Sequence, residues 1–538
     1  MKLRTLTVAC ALALAAPLAA VADRVEKNSD GFVDIRNLFT GANRIEQADL
    51  ANMTRDEIRL AGMRMFTNPF MVADGFGDGD ADNPAPSGVQ GERGTLQGNG
   101  TFQRIGGLDG QTCLECHSII SRRTVPMTFG IGGVGGINNT VLGAGGNTFV
   151  DLNLQGRSAD STSGVTQQQA NIDGRVINPP FIFGAGGIEH LANEMTEELQ
   201  GQLHDALAAG DGTYDLSAKD VSFGSITIAG GAIVTDPVTG NAVGAEGTAS
   251  LNPSTEEFMV VQPFGRKGNE LSTRTFDIGA LSFHFGMGIN PLETDEHGEL
   301  VLDANGDPIE IRGTDHDDDG VTDEVTQGEL SVLSVFVGTA QTPFQTKVKR
   351  KARRGLQVMN EVGCTECHIP KMETKSKTLG FRFPEIANEP FENVHTSVDL
   401  TKKPMSFEKN DQGGVTIELF ADLKRHYMGK SLEEFNGDGM FTTMRLWGVA
   451  DTAPYLHDGR AFNIRDAIAH HGGVPNTATG ATFITDDGSE AFNAVSGFLA
   501  SSEADQKAVL AFLDTLRSPN GTFPILQRVA KKVARKQR

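Results

Sequence analysis

Two stretches of this chain hold residue types that a packed core does not require: Cys113-Leu114-Glu115-Cys116-His117 and Cys364-Thr365-Glu366-Cys367-His368. Cys-x-x-Cys puts two sulfurs on one turn, and the His that follows sets an imidazole nitrogen beside them. That order suits covalent haem c, with two thioether bonds to vinyl groups and one axial ligand to iron. A zinc site would need four ligands converging on one tetrahedral centre. A thioredoxin-like pair makes no use of the trailing His and expects a strand–helix frame. The residues therefore predict two covalently bound haem c groups on Cys113, Cys116, Cys364 and Cys367, with His117 and His368 as proximal ligands.

Cysteine usage points the same way. The chain has five cysteines, and Cys10 lies in an N-terminal stretch with Lys2 and Arg4, an apolar run over 6–18, and Ala20-Val21-Ala22 before Asp23. This is the pattern of an export signal with a small-residue cleavage site. Its removal leaves four cysteines, all in the two motifs, and predicts a periplasmic protein. The apolar run is short for a bilayer span and no other segment is apolar for long enough, so no membrane span is expected.

Removing the two basic residues of the signal leaves 45 Lys and Arg against 69 Asp and Glu, a formal net charge of −24. So acidic a chain repels nucleic-acid phosphates. Its basic residues concentrate at 347–354 and 528–538. Each run reads as a solvated face or as a docking patch for an acidic electron-transfer partner.

The elements that must hold these residues are partly readable. Thr54-Arg55-Asp56-Glu57 is a capping-box start for a helix through about Phe66. Leu191, Met195, Leu199 and Leu203 recur at four-residue spacing and predict a helix over 189–209. Residues 215–260 contain β-like runs such as Ser225-Ile226-Thr227-Ile228 and read as a hairpin insertion. Residues 73–110 and 118–180 are rich in Gly and read as loop. A helix leads into Cys364, and a last helix follows Ser502 with Val509, Phe512, Leu513 and Leu516 on one face. A helix before Cys-x-x-Cys-His and a closing helix are the plan of a class I cytochrome c domain. The expected fold is mainly α: two class I cytochrome c-like haem domains with Gly-rich loops and small β insertions. The expected division is a signal at 1–22, an N-terminal haem domain at 23–344, and a C-terminal haem domain with a basic tail at 345–538.

An acidic insertion covers 291–327. Within it Asp315, Asp317, Asp319 and Asp323 form a D-x-D-x-D-G-x-x-D pattern that suits Ca²⁺, although Thr326 stands where an EF-hand loop has Glu. Asp303, Asn305 and Asp307 are near in sequence, and Asp78, Asp80 and Asp82 make a weaker second candidate. The alternative is a solvated acidic insertion.

Further motifs carry a family resemblance. They are Thr452-Ala453-Pro454-Tyr455-Leu456-His457-Asp458-Gly459-Arg460-Ala461, Asp466-Ala467-Ile468 and His470-His471-Gly472-Gly473. With them go Pro179-Pro180-Phe181, Phe183-Gly184-Ala185-Gly186-Gly187-Ile188-Glu189, Phe264-Gly265-Arg266-Lys267-Gly268, Gly286-Met287-Gly288-Ile289, Ala421-Asp422-Leu423-Lys424-Arg425-His426 and Arg445-Leu446-Trp447-Gly448. Together they resemble the di-haem oxidoreductase (putative peroxidase) family, related to bacterial di-haem cytochrome c peroxidases. The resemblance runs from about 100 to 520 and is most specific in the C-terminal half.

The resemblance implies two facing haem domains, one haem storing an electron and the other meeting peroxide. In the peroxidases an axial Met follows the His of Tyr-x-His-Asp-Gly by fourteen residues; here that count from His457 reaches His471, with His470 as its competitor. His471 would give bis-His ligation and a lower potential than Met. At the N-terminal haem the peroxidases carry a distal His, but position 133 is Gly and no His occurs between 117 and 190. The sixth position is then open, or filled by Met127, His190, His284 or Met287. Peroxide cleavage needs a group that moves a proton between its oxygens. Glu189 is the candidate, with capping of its own helix as the alternative. Trp447 either bridges the haems or packs as an aromatic. Tyr455 and His457 are expected to line the C-terminal haem pocket or bond a propionate.

The reading is a di-haem peroxidase-like enzyme reducing H₂O₂ at the haem of His117, with electrons from a small redox protein arriving through the haem of His368. Two alternatives stand beside it: an electron-transfer cytochrome without substrate chemistry, and an oxygenating or maturation enzyme acting on another substrate.

Overall fold

The computed structural model describes residues 44–70, 74–75, 94–95, 102–103, 112–115, 117, 154–156, 170–172, 179–180, 182–234, 259–296, 299–304, 306–315, 320–432, 438–453, 455–457, 460–461, 463–475 and 484–519. The export signal lies outside the described residues, as do Cys116, Met127, Asp317, Asp319 and the 78–82 acids.

Eight α-helices carry the architecture among the described residues. α1 (Arg55–Thr67) starts where the capping box predicts: Glu57 N donates to Thr54 Oγ1 at 3.4 Å, and Thr54 N donates to Glu57 Oε2 at 2.8 Å. α2 (Ala185–Ala209) begins four residues before the apolar period. α3 (Thr273–Ala280) is capped by Ser272 and runs into a π-helical turn, Leu281–Phe285, stopped by Gly286 at φ 63. α4 (Gln327–Gly338) is buried along its whole length. α5 (Arg350–Glu361) leads into the second Cys-x-x-Cys-His. α6 (Ile464–His471), α7 (Phe492–Ala500) and α8 (Glu503–Leu513) complete the set.

The strands form only two- and three-stranded antiparallel sheets, with no barrel among the described residues. Gly212–Ala218 and Val221–Ala229 make the hairpin expected from sequence. Thr378–Arg382 pairs with Val394–Asp399. In the acidic insertion the chain makes isolated bridges rather than strands. The observed class is helices with small sheets.

Two apolar clusters form. The larger joins α1, α2 and α4 to the 212–233 hairpin, with Phe183, Ile188, Leu191, Met195 and Phe336 fully buried. The smaller joins α5 to α8 through Val358, Met359, Val509, Phe512 and Leu513. Gly355 makes that contact possible, because a Cβ there would sit 2.0 Å from the Ala508 carbonyl.

The clusters do not separate at 344–345. Met372, Leu379, Phe381, Val398, Phe407, Ile417 and Trp447 all bury into the larger one. Neighbouring residues alternate: Leu419 and Ala421 face the larger cluster and Phe420 the smaller. The period-2 alternation of extended chain puts successive side chains on opposite sides, so this segment is a wall between the two cores.

Candidate haem sites and the buried carboxylates

Both Cys-x-x-Cys-His motifs fold alike. Cys113–Glu115 and Cys364–Glu366 each make one 3₁₀ turn, and the His amide closes it on the first Cys carbonyl, at 2.7 Å for His117 and 3.0 Å for His368. Each turn therefore carries its first cysteine and its His on one short loop. Cys364 and Cys367 form no disulfide among the described residues. Phe66 at the end of α1 packs its ring 6.4 Å from the His117 ring.

The donor set around His368 fits haem c. Its Nδ1 lies 2.9 Å from the Phe420 carbonyl. That hydrogen bond fixes the tautomer and leaves Nε2 as the basic nitrogen, the usual arrangement for a metal-bound imidazole. His471 closes α6 with the same pattern, Nδ1 lying 2.7 Å from the Ala467 carbonyl. Burial pushes His368 down to about 4 and lowers His471 as well, and each imidazole is therefore neutral. The two rings are near enough for a charge on His471 to lower His368 further. The fold thus brings together two neutral imidazoles that the sequence separates by a hundred residues. Tyr455 of the neighbouring motif donates to the Val449 carbonyl at 3.0 Å, and His457 packs on Phe441 with centroids 5.2 Å apart.

Beside this motif stands a residue given no role from sequence. His426 Nε2 meets Asp422 Oδ2 at 2.8 Å, His426 Nδ1 meets Glu490 Oε2 at 2.8 Å, and Cys367 Sγ is 3.9 Å from Nδ1. Burial works against a charge on this ring, but Asp422, Cys367 and Glu490 outweigh it and raise His426 to about 11. Cys367, Asp422 and His426 are close enough to hold a metal ion. With Cys367 in a thioether that set falls to two ligands. The sequence signal was the Asp-x-x-x-His spacing within 421–426.

Glu189 is 1% exposed in α2, and its Oε2 accepts from the Thr273 amide at 2.9 Å. It caps α3 rather than its own helix. Burial raises its carboxyl to about 7, and repulsion from Glu385 adds to the rise. Glu385 Oε2 accepts from Ser272 Oγ at 2.6 Å. Asp277, one turn along α3, is pushed well up by burial, and its Oδ2 has no hydrogen-bond partner among the described residues. Arg274 and Arg382 supply the nearby positive charge, with Arg274 Nη1 donating to Ser331 Oγ at 2.5 Å. Glu189 and Asp277, both buried around one helix start, cannot both ionise cheaply, and burial raises each of them.

Of the candidate sixth ligands, His190 Nε2 lies 2.8 Å from the Ser376 carbonyl and 3.4 Å from Glu194. Met287 is buried in the larger core. The His284 side chain lies outside the described residues.

Trp447 sits at the wall between the cores. A Cβ on Gly184, where α2 begins, would lie 2.7 Å from its ring, and Phe407 stacks at 6.3 Å. Its Nε1 is buried with no hydrogen-bond partner among the described residues. A cavity of about 210 Å³ opens here, lined in part by Phe407, Phe420, Trp447 and Leu516. The glycines of 184–187 are explained by this contact. Gly186 meets the Gly338 carbonyl and Gly187 the Phe407 ring, both closer than a Cβ allows.

In the acidic loop, Asp315 Oδ2 accepts from Gly320 N at 2.9 Å. Asp323 Oδ1 accepts from Asn290 Nδ2 at 2.9 Å and from Gly313 N at 3.0 Å, and Arg312 stands 3.8 Å away. Asp323 is thus committed to holding its loop.

Among known proteins, no curated protein matches the chain. A solved structure described as a MauG-like protein associated with microbial copper homeostasis shares 16% identity, with a TM-score of 0.21, over 35% of this chain and 52% of that one. The chain therefore spans about half the length of that structure. The family described as di-haem oxidoreductase, putative peroxidase, matches residues 256–501, the span that includes the second Cys-x-x-Cys-His, His426, Trp447 and His471. By these residues, the 256–501 segment is similar to the di-haem oxidoreductase, putative peroxidase family.

Proposed function

We propose that this protein is a periplasmic di-haem c-type oxidoreductase that reduces H₂O₂ with electrons from a small redox protein. The observation that carries the reading is the pair His368 and His471. Both are buried and tied back through Nδ1, and a charge on His471 is felt at His368. Haem c, when bound, supplies the iron and the electron storage. The remaining chemistry belongs to the chain.

His117 and His368 would be the residues that hold the iron of each haem, and His471 would offer a second imidazole at the site of His368. Reduction of H₂O₂ to two waters consumes two electrons and two protons. One proton must first pass from one peroxide oxygen to the other. Glu189 is the proposed carrier: its carboxylate takes the proton and hands it on. A pKa of about 7 lets it do both near neutral pH. Asp277, whose carboxyl is also raised by burial, is proposed to resupply it. The 315–323 loop is proposed as a calcium site on its sequence pattern alone.

The test is steady-state peroxidase turnover of the two-haem protein and of Glu189→Gln. The proposal expects the variant to keep both haems and lose on the order of 10²- to 10⁴-fold in turnover. Unchanged turnover would remove Glu189 from the mechanism. Absence of H₂O₂ consumption by the wild-type protein, with both haems loaded and reduced, would leave an electron-transfer cytochrome.

A further inference from the structure

His426 takes no part in the chemistry proposed above. It lies buried on the strand Arg425–Tyr427, which pairs with Met440–Thr442. Each of its ring nitrogens faces a carboxylate oxygen at 2.8 Å, Nε2 meeting Asp422 Oδ2 and Nδ1 meeting Glu490 Oε2. A neutral imidazole has one N–H and one lone pair. Its lone pair would here face an acceptor. Only the doubly protonated ring donates on both sides, so the geometry makes His426 a cation. Such a ring has no lone pair left for a metal ion.

The two carboxylates are themselves held. Asp422 Oδ1 accepts from Lys424 N at 3.0 Å, and Glu490 Oε1 accepts from Tyr427 N at 2.8 Å. Both oxygens of each acid are thus engaged, and the ring is clamped between them. Next to Glu490, Ser489 Oγ donates to the His471 carbonyl at 2.5 Å. The corner at 489–490 therefore ties the end of α6 to the clamp on His426. The same Nδ1 lies 3.9 Å from Cys367 Sγ, so the positive charge stands beside that sulfur. Apolar residues in place of the buried His426 and Asp422 would avoid the cost of desolvating two charges. Stability alone does not call for the cluster.

We propose, on the reading of Cys364, Cys367 and His368 as a haem site, that His426 is a positioning residue for that haem: a cation held against the Cys367 sulfur by Asp422 and Glu490 that tunes the reduction potential. A nearby cation favours the reduced iron and a nearby anion the oxidised iron. The potential then depends on the balance of charge across the clamp.

The experiment is a spectroelectrochemical titration at pH 8 of the two-haem protein, His426→Gln and Glu490→Gln, with the haems of each counted by absorbance. The haem of the second motif is the one whose midpoint moves in His471→Met. His426→Gln removes the cation. Its midpoint is expected to fall by on the order of tenfold in the ratio of reduced to oxidised haem, about 59 mV for one electron. Glu490→Gln removes an anion and keeps an oxygen for Nδ1–H. Its midpoint is expected to rise, and by less, because the Glu490 side chain is half-exposed and screened by salt. A clamp with only a structural role would loosen in both variants and move both midpoints in one direction. Midpoints that move the same way, or that stay at the wild-type value, would overturn the proposal. If His426→Gln does not fold, Glu490→Gln decides alone, and a fall or no change there overturns it. A wild-type chain with no haem on Cys364 and Cys367 would overturn the haem reading as well; unmoved midpoints in chains with two haems overturn this proposal only.

Discussion

Glu189 sets the pH behaviour expected of the site. Its folded carboxyl titrates near 7, above the ordinary value of 4.5, because burial disfavours the charge. The folded state therefore binds more protons than the unfolded state between those values, and stability falls as pH rises through this window. Below about 4.5 there is no penalty; above about 7 it reaches its full size, roughly 3 kcal/mol. Glu189→Gln should remove that slope, read by chemical unfolding at pH 5 and pH 8. In turnover the sign reverses: the carrier must begin ionised, so activity rises through about pH 7 and the variant lacks that limb. At the other haem, His471→Met should raise the midpoint potential by on the order of 0.1 V, since a thioether favours the reduced iron; a spectroelectrochemical titration reads it directly. The turns that close His117 on Cys113 and His368 on Cys364 were legible because their motif is local. Glu189 was legible as a residue but not as a group, because Asp277 and Glu385 join it only through the packing of α2 against α3. His426 stood in a quoted motif, but its partner Glu490 lies 64 residues away and no spacing announces it.

Elements with polar faces declared themselves. α1 begins at its capping box, and α8 begins at Ser502, whose side chain accepts from Asp505 N. α4 gave no such signal. All twelve of its residues are buried, so its sequence carries little contrast between faces from which a helical period could be read. The wall from 372 to 447 was also hidden. Its short strands bury into the larger core, and at Phe420, between Leu419 and Ala421, the chain turns a side chain to the smaller one. The α5–α8 contact yields the sharpest prediction at this scale. A methyl on Gly355 has no room beside the Ala508 backbone, so Gly355→Ala should cost about 1–3 kcal/mol. A melt of the purified protein should show the loss, together with lower haem occupancy at the second motif. A melting temperature equal to wild type would mean that the two helices pack more loosely than described.

For the whole molecule, the two motifs give the expectation of two haem units, and the apolar packing crosses the expected boundary at 344–345. The larger core takes its side chains from both sides of residue 345, and Trp447 holds the seam against Gly184 and Phe407. Trp447→Ala should therefore cost about 3–5 kcal/mol and loosen both units together in one unfolding transition, measured by following the two haem absorbances separately. No helix among the described residues is long and apolar enough to cross a membrane. The central claim is that one iron meets peroxide while the His368–His471 pair closes the other. It is tested most directly by EPR spectra of the fully oxidised and half-reduced protein, each with and without H₂O₂. The account predicts a high-spin signal that changes on adding peroxide beside a low-spin bis-His signal. Two low-spin signals unmoved by peroxide in both redox states would contradict it.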